Sequence, residues 1–161
     1  MKKMNFKSES GFTLMELMVV IGVLAILIAI LLPQFTGYTA QAQAVSAASQ
    51  VKNALTAGYS YYTSYTSRND AAFGGTQQGT AIDRMEKAVK NDGTFADGGT
   101  PTIVTYTIPK GNLTFYATLD LSTGDVVAST QGTEGSGVAG SMSCDGDACA
   151  DLLAEGALQV Q

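Results

Sequence analysis

The chain has 161 residues, 45% of them hydrophobic and only 14% charged, with a net charge of −5. Soluble proteins average roughly 25% charged residues, so apolar surface has to be housed somewhere other than an ordinary core. His and Trp are absent, which excludes Ser-His-Asp and Cys-His centres and His-ligated metals. The acidic balance argues against a dedicated nucleic-acid binder, which carries a basic face.

Residues 1–11 read MKKMNFKSESG, a stub made basic by Lys2, Lys3 and Lys7 against Glu9. Phe12-Thr13-Leu14-Met15-Glu16 follows, and Leu17 to Leu32 is sixteen residues without a polar side chain. From Phe12 to Leu32 a helix is about 32 Å long, enough to cross the hydrocarbon core of a bilayer. The preceding lysines place the stub in the cytoplasm and the rest of the chain outside.

A secretory signal peptide and a plain membrane anchor are the simpler readings, but neither accounts for Glu16. A carboxylate inside a spanning segment costs about 3 kcal/mol on insertion scales unless it is partnered. Cleavage between Gly11 and Phe12 would create an α-amino group four residues before Glu16, on the same helix face. Within one chain, or between neighbouring chains, that ammonium neutralises the carboxylate. The intermolecular form also sets the axial register of adjacent helices.

Gly11-Phe12-Thr13-Leu14-Met15-Glu16 before a long apolar helix resembles the class III signal of type IV pilins and the related pseudopilins. The resemblance runs over roughly residues 2–38 and weakens beyond. Pro33 matches the proline that closes the family's apolar run, and Gly22 is a second flexible point. Ala25 departs from the pattern, because many members carry a helix-loosening Gly there. The resemblance implies cutting after Gly11 and methylation of the Phe12 nitrogen by a prepilin peptidase. Loss of the leader leaves six basic and thirteen acidic residues, a side-chain charge of −7.

The resemblance further implies a structural subunit without enzymatic activity or cofactor. It is a single-span inner-membrane precursor that polymerises through its N-terminal helix into a surface filament, serving adhesion, motility or DNA uptake. Gly11 and Phe12 are the processing residues, and Glu16, Gly22 and Pro33 the assembly residues. The partners are other copies of the chain, the peptidase, an inner-membrane assembly platform and a cytoplasmic assembly ATPase. A type II secretion pseudopilin and a minor pilin acting as a tip binding module are the alternatives. Division into a leader (1–11), a transmembrane and assembly half-helix (12–33) and a pilin head (34–161) follows.

Residues 34–65 lack proline and are rich in alanine. Ala44, Ala47, Ala48, Val51, Ala54, Leu55, Gly58 and Tyr62 recur at spacings of three and four, one stripe of an amphipathic helix. Gln43, Ser46, Ser49, Gln50, Lys52 and Asn53 make the opposite face. The helix is expected to run from Phe12 to about Tyr65, with a kink at Pro33 because proline lacks an N–H and crowds the preceding turn. The stripe is expected to pack on the head. The apolar half has only lipid or other copies to cover it.

Residues 68–80 read as a Gly/Gln/Asn-rich connection. A short helix is expected over 80–90, with Thr80 as N-cap and Asp83 three residues on. Residues 102–108 and 113–121 are strand-like and joined by a turn at 110–112. Ser122-Thr123-Gly124 turns into a third strand at 125–129. The result is an antiparallel meander on a long helix, an α+β class. Residues 131–146 contain five glycines and read as a surface loop. The tail from Asp151 reads as a short helix or an edge strand.

Cys144 and Cys149 lie five apart. Facing an oxidising compartment they can form a disulfide, and the resemblance implies the C-terminal cystine loop of many pilins. A redox pair and a zinc site fit less well, for lack of Cys-x-x-Cys spacing and of further ligands. Asp145, Asp147 and Asp151 raise calcium as a rival, without EF-hand spacing. Tyr59, Tyr61, Tyr62 and Tyr65 form an aromatic group for packing, with single-stranded nucleic acid as the rival use.

Overall fold

The structure is a computed structural model. It describes residues 11–68 and 72–160; the basic leader lies outside the described residues apart from Gly11. The chain divides into two compact units at Gly37/Tyr38.

Helix α1, Leu14–Thr66, supplies the whole of the helix in the first unit and continues into the second. No helix breaker other than Pro33 interrupts the stretch, and the backbone stays helical through it. In the second unit the alanine stripe is what the spacing predicts. Ala40, Ala44, Ala47, Val51 and Ala54 are buried and join one hydrophobic cluster with the sheet. Small side chains let the backbone come close. At Gly58 an added Cβ would lie 2.6 Å from Leu121 Cδ2 and 2.8 Å from Met85 Sδ, so a larger residue there must displace two core side chains.

Helix α2, Gly75–Ala88, begins five residues earlier than expected. Its N-cap is Gly74, whose N–H donates to Gln77 Oε1 at 3.1 Å. Thr80 is interior and its hydroxyl donates back to Thr76 O. The extra N-terminal turn carries Gln78 inward, where it is buried and its Nε2 donates to Thr100 O and Ile103 O, a long-range partner set that the local signal at Thr80 does not contain.

The sheet is an antiparallel meander of β1 (Thr94–Asp97), β2 (Ile103–Lys110), β3 (Leu113–Asp120) and β4 (Asp125–Val127). A fifth strand, β5 (Ser143–Asp145), pairs with β3 at Thr114 to Tyr116, while β4 pairs with Thr118 to Asp120. The two short strands thus share one edge of β3 end to end, and β2 covers the other edge along its whole length. Alternation is clean on β2 and β3. Val104, Tyr106 and Ile108 face inward opposite Leu119, Ala117 and Phe115, pairing large with small at Tyr106. Strands β1 and β5 were not expected. The segment read as a surface loop over 131–146 contains β5 and buried Ser141, Met142, Ser143 and Cys144. Helix α3, Cys149–Ala154, follows, and the tail then bridges Gln159 to Ser141. It therefore supplies both a short helix and an edge pairing.

Candidate functional site

The first unit holds the processing and assembly residues. Gly11 and Phe12 precede α1, and Phe12 is 89% exposed. Among the described residues an added Cβ at Gly11 or at Gly22 would meet nothing within 4 Å, so their packing asks for glycine at neither position. Leu14–Leu32 is the one helical stretch among the described residues that is long and apolar enough to cross a membrane, with a mean hydropathy of 3.0 and none of it buried. Every large apolar side chain from Phe12 to Leu32 is at least 47% exposed. Pro33 lies within α1; its side chain is outside those described.

Glu16 sits in the first turn of α1. Its Oε2 accepts from the Thr13 N–H at 2.9 Å and from the Thr13 hydroxyl at 2.8 Å. Thr13 Oγ1 accepts from the Glu16 N–H at 3.2 Å. This is a capping box, and the negative side chain also suits the positive end of the helix dipole. Thr13 was missed as a functional partner of Glu16. The signal was in plain sight, since T-x-x-E before an apolar run is the sequence form of this cap. Glu16 thus has a partner before any cleavage, and the bonds it accepts from the described residues fall on Oε2.

In the second unit Cys144 and Cys149 are joined by a disulfide with Cα atoms 5.9 Å apart. It ties β5 to the first residue of α3, and both cysteines are fully buried. Asp145 is engaged next to it. Its Oδ2 accepts from Tyr116 OH at 2.9 Å and its Oδ1 from the Thr133 N–H at 2.7 Å. These bonds hold its carboxyl below the usual range and, through the shared proton, push Tyr116 up. Among the described residues no three His, Cys, Asp or Glu side chains gather as a metal would need, so Asp145, Asp147 and Asp151 do not converge as the calcium reading required.

A second polar knot joins three elements. Asp92 Oδ2 accepts from Lys110 Nζ at 2.5 Å and from Gln50 Nε2 at 2.6 Å. Its backbone carbonyl accepts from Tyr106 OH. Gln50 belongs to the face of α1 read as solvated, yet it is half-buried and reaches the segment after α2. The tyrosine group resolves into packing. Tyr61, Tyr62 and Tyr65 surround Phe73, with ring centroids 5.0 to 6.1 Å from it, and Arg84 covers Tyr61 at 4.6 Å.

The family match falls within the first unit, and the alignments with relatives are longer than that unit. The family described as the prokaryotic N-terminal methylation motif matches residues 6–32. A fimbrial protein of Pseudomonas aeruginosa is 47% identical over 51 residues, 32% of this chain and 33% of its own length. A fimbrial protein of Neisseria meningitidis is 42% identical over 67 residues, 40% of this chain and 39% of its own. The chain therefore spans about a third of the length of the curated relatives it matches. No solved structure matches it significantly. The methylation motif, the fimbrial relatives and the combination of an apolar N-terminal helix with a small antiparallel sheet identify the chain as type IV pilin-like.

Proposed function

We propose that the chain is the structural subunit of a type IV pilus, cut between Gly11 and Phe12 and N-methylated on Phe12. In this reading prepilin peptidase processes a single-span inner-membrane precursor. The mature subunit then enters a surface filament through an assembly platform driven by a cytoplasmic ATPase. The role is structural, not catalytic. The observation that carries the reading is the coincidence of the methylation motif with a helix exposed on every side, whose single charge lies four residues after Phe12.

The physical argument is one of homes for apolar surface. Out of the membrane, about 1,500 Å² of apolar side chain would meet water at a cost of tens of kcal/mol. The segment is stable in lipid or in a bundle of its own kind. Transfer between the two is not driven by water exclusion, which is why a motor is needed. Gly11 fits a requirement from outside the chain, since a Cβ there meets nothing within 4 Å among the described residues; a peptidase cleft that needs a slim residue is such a requirement. Glu16 is the carboxylate that the Phe12 ammonium of the same or a neighbouring subunit neutralises in this reading.

The test is mass spectrometry of the first residue of the product, with electron microscopy of sheared surface material. N-methylphenylalanine from Phe12 in filaments is expected. A chain that begins at Met1, or after Ala42, sinks the reading.

A further inference from the structure

The bond read as the cleavage point lies just outside α1. Gly11, Phe12 and Thr13 precede the helix, whose first residue is Leu14, and Gly11 and Phe12 are exposed. The Leu17 N–H donates to Thr13 O at 3.3 Å, so the helical ladder reaches back to Thr13.

We propose that Thr13 is a positioning residue for processing: its reciprocal bonds with Glu16 stop α1 short of the Gly11–Phe12 peptide and keep that peptide open to a peptidase. The proposal rests on the cleavage reading and names what sets the conformation of the cleaved bond. Hydrolysis adds water across the bond from Gly11 C to Phe12 N, leaving a carboxylate on Gly11 and an amine on Phe12. The atom attacked is the Gly11 carbonyl carbon, so the state of that carbonyl decides access.

A helix as apolar as this one has no reason of its own to stop at Leu14. In lipid its backbone groups gain by pairing internally. Ser10, one residue before Gly11, is of a type that caps helices well. A helix begun at Ser10 would carry Gly11 and Phe12 in its first turn. The Gly11 carbonyl would then accept from the Met15 N–H, and the Phe12 carbonyl from the Glu16 N–H. An extended peptide can offer its main-chain groups to a cleft; a helical one has them tied up.

Two features oppose the longer helix. It has to give up the bond from the Glu16 N–H to Thr13 Oγ1 and the bond from the Thr13 N–H to Glu16 Oε2, which together define the present start. It also has to take Gly11 into a helix, where glycine is among the least favourable residues. Glycine before the cut therefore has a backbone reason beside the steric one.

The test is the initial rate at which membranes containing prepilin peptidase cut the full-length precursor in detergent micelles. Cα chemical shifts of Gly11 and Phe12 are recorded in the same micelles. Thr13→Ala, Thr13→Ser and Glu16→Gln are compared with the unsubstituted chain. Serine keeps the cap, and glutamine completes a capping box without the charge. Thr13→Ala is expected to be cut about fivefold more slowly, the factor that loss of a typical cap gives, with the Gly11 and Phe12 shifts moving to helical values. Thr13→Ser and Glu16→Gln are expected to keep the unsubstituted rate and shifts. Hydrolysis is irreversible, so the loss is one of rate, and mature Thr13→Ala subunit still accumulates.

Equal rates for Thr13→Ala and the unsubstituted chain overturn the proposal. A slow Thr13→Ser or Glu16→Gln overturns it in favour of direct reading of those side chains by the peptidase. A slow Thr13→Ala with unmoved Gly11 and Phe12 shifts does the same. An unsubstituted chain that is not cut after Gly11 removes the cleavage reading beneath it.

Discussion

Thr13 and Glu16 hydrogen-bond each other in both directions at the start of α1, so the one acidic side chain of the apolar segment is also the lock of its first turn. This changes what its removal should do. Glu16→Ala loses the cap and the carboxylate together, whereas Thr13→Ala loses the cap and keeps the charge. Loss of the cap alone costs about 1 kcal/mol of helix stability and should leave filament yield near normal. Glu16→Ala should still insert in the membrane but give few filaments. Quantifying sheared filaments beside membrane-bound subunit separates the two; equal yields from both variants would leave the carboxylate with a capping role only.

Replacement of Gly11 by a bulky residue should leave an uncut precursor in the membrane. Among the described residues a Cβ at Gly11 meets nothing within 4 Å, so a fall in processing is expected to report recognition by the peptidase. Gel mobility and mass spectrometry of the membrane fraction are the measurements. Normal maturation would argue against cleavage at this bond.

Gly93 and Gly99 have similar backbone angles, φ +98° and +94°, in the region that favours glycine. Their surroundings differ. A Cβ at Gly93 would sit 2.5 Å from Thr107 O and 2.7 Å from the Tyr106 ring, while one at Gly99 would meet nothing within 4 Å. Gly99→Ala should therefore cost the backbone strain only, about 1 kcal/mol. Gly93→Ala should cost about 3 kcal/mol, because it also pushes β2 away and disturbs the Tyr106 to Asp92 bond. Thermal melts of the two variants give the comparison.

How far the sequence could be read depended on the range of each signal. The α1 stripe and the turn at Gly111 and Asn112 are local periodicities and breaker residues, and Ala44, Val51, Ala54 and Leu113 lie where these put them. Helix α2 was misplaced at its start because its cap is a glycine with Gln77, not the Thr80 that looked right. Strand β5 was invisible for another reason. Three residues among glycines have no pattern of their own, and they become a strand only because β4 leaves half an edge of β3 open. Gln50 was assigned to water because its partner Asp92 is 42 residues away. At the candidate site Glu16 stands out because its charge is out of place in an apolar run, whereas Thr13, read only as part of the signal motif, is given no role of its own there although its spacing to Glu16 is that of a capping box.

Cys144 and Cys149 close a small ring, and in the chain-entropy model such a cross-link stabilises by about 2 kcal/mol. The double substitution to alanine should lower the melting temperature by roughly 4 to 8 °C for a domain of this size. Because the bond joins β5 to α3, the loss should be felt first in the C-terminal tail. Hydrogen exchange of the Val160 and Met142 amides, both bonded across that tail, should speed up before that of β2. Uniform acceleration over the whole head would mean the disulfide supports the core as a single unit.

The two carboxylates with depressed values set the acid limit of the head, and two tyrosines set its alkaline limit. Lys110 and Gln50 hold the Asp92 carboxyl below the usual range, and Tyr116 and Thr133 do the same for Asp145. A carboxyl whose folded value is lower than its unfolded one binds fewer protons in the native state. Its contribution is complete above the ordinary value near 4 and is lost as pH falls from there toward the depressed folded value. Tyr106, raised by burial and then by the Asp92 charge, and Tyr116, raised by its bond to Asp145, work in the opposite sense. Their contribution is complete below the ordinary tyrosine value near 10 and is lost as pH rises beyond it. Denaturant midpoints of the full chain in detergent should be flat between about pH 5 and 9 and fall on both sides. Asp92→Asn should flatten the acid limb, because the variant has no carboxyl to protonate at that site. An acid limb of unchanged slope in Asp92→Asn would place the acid sensitivity elsewhere, with Asp145 the next group to replace.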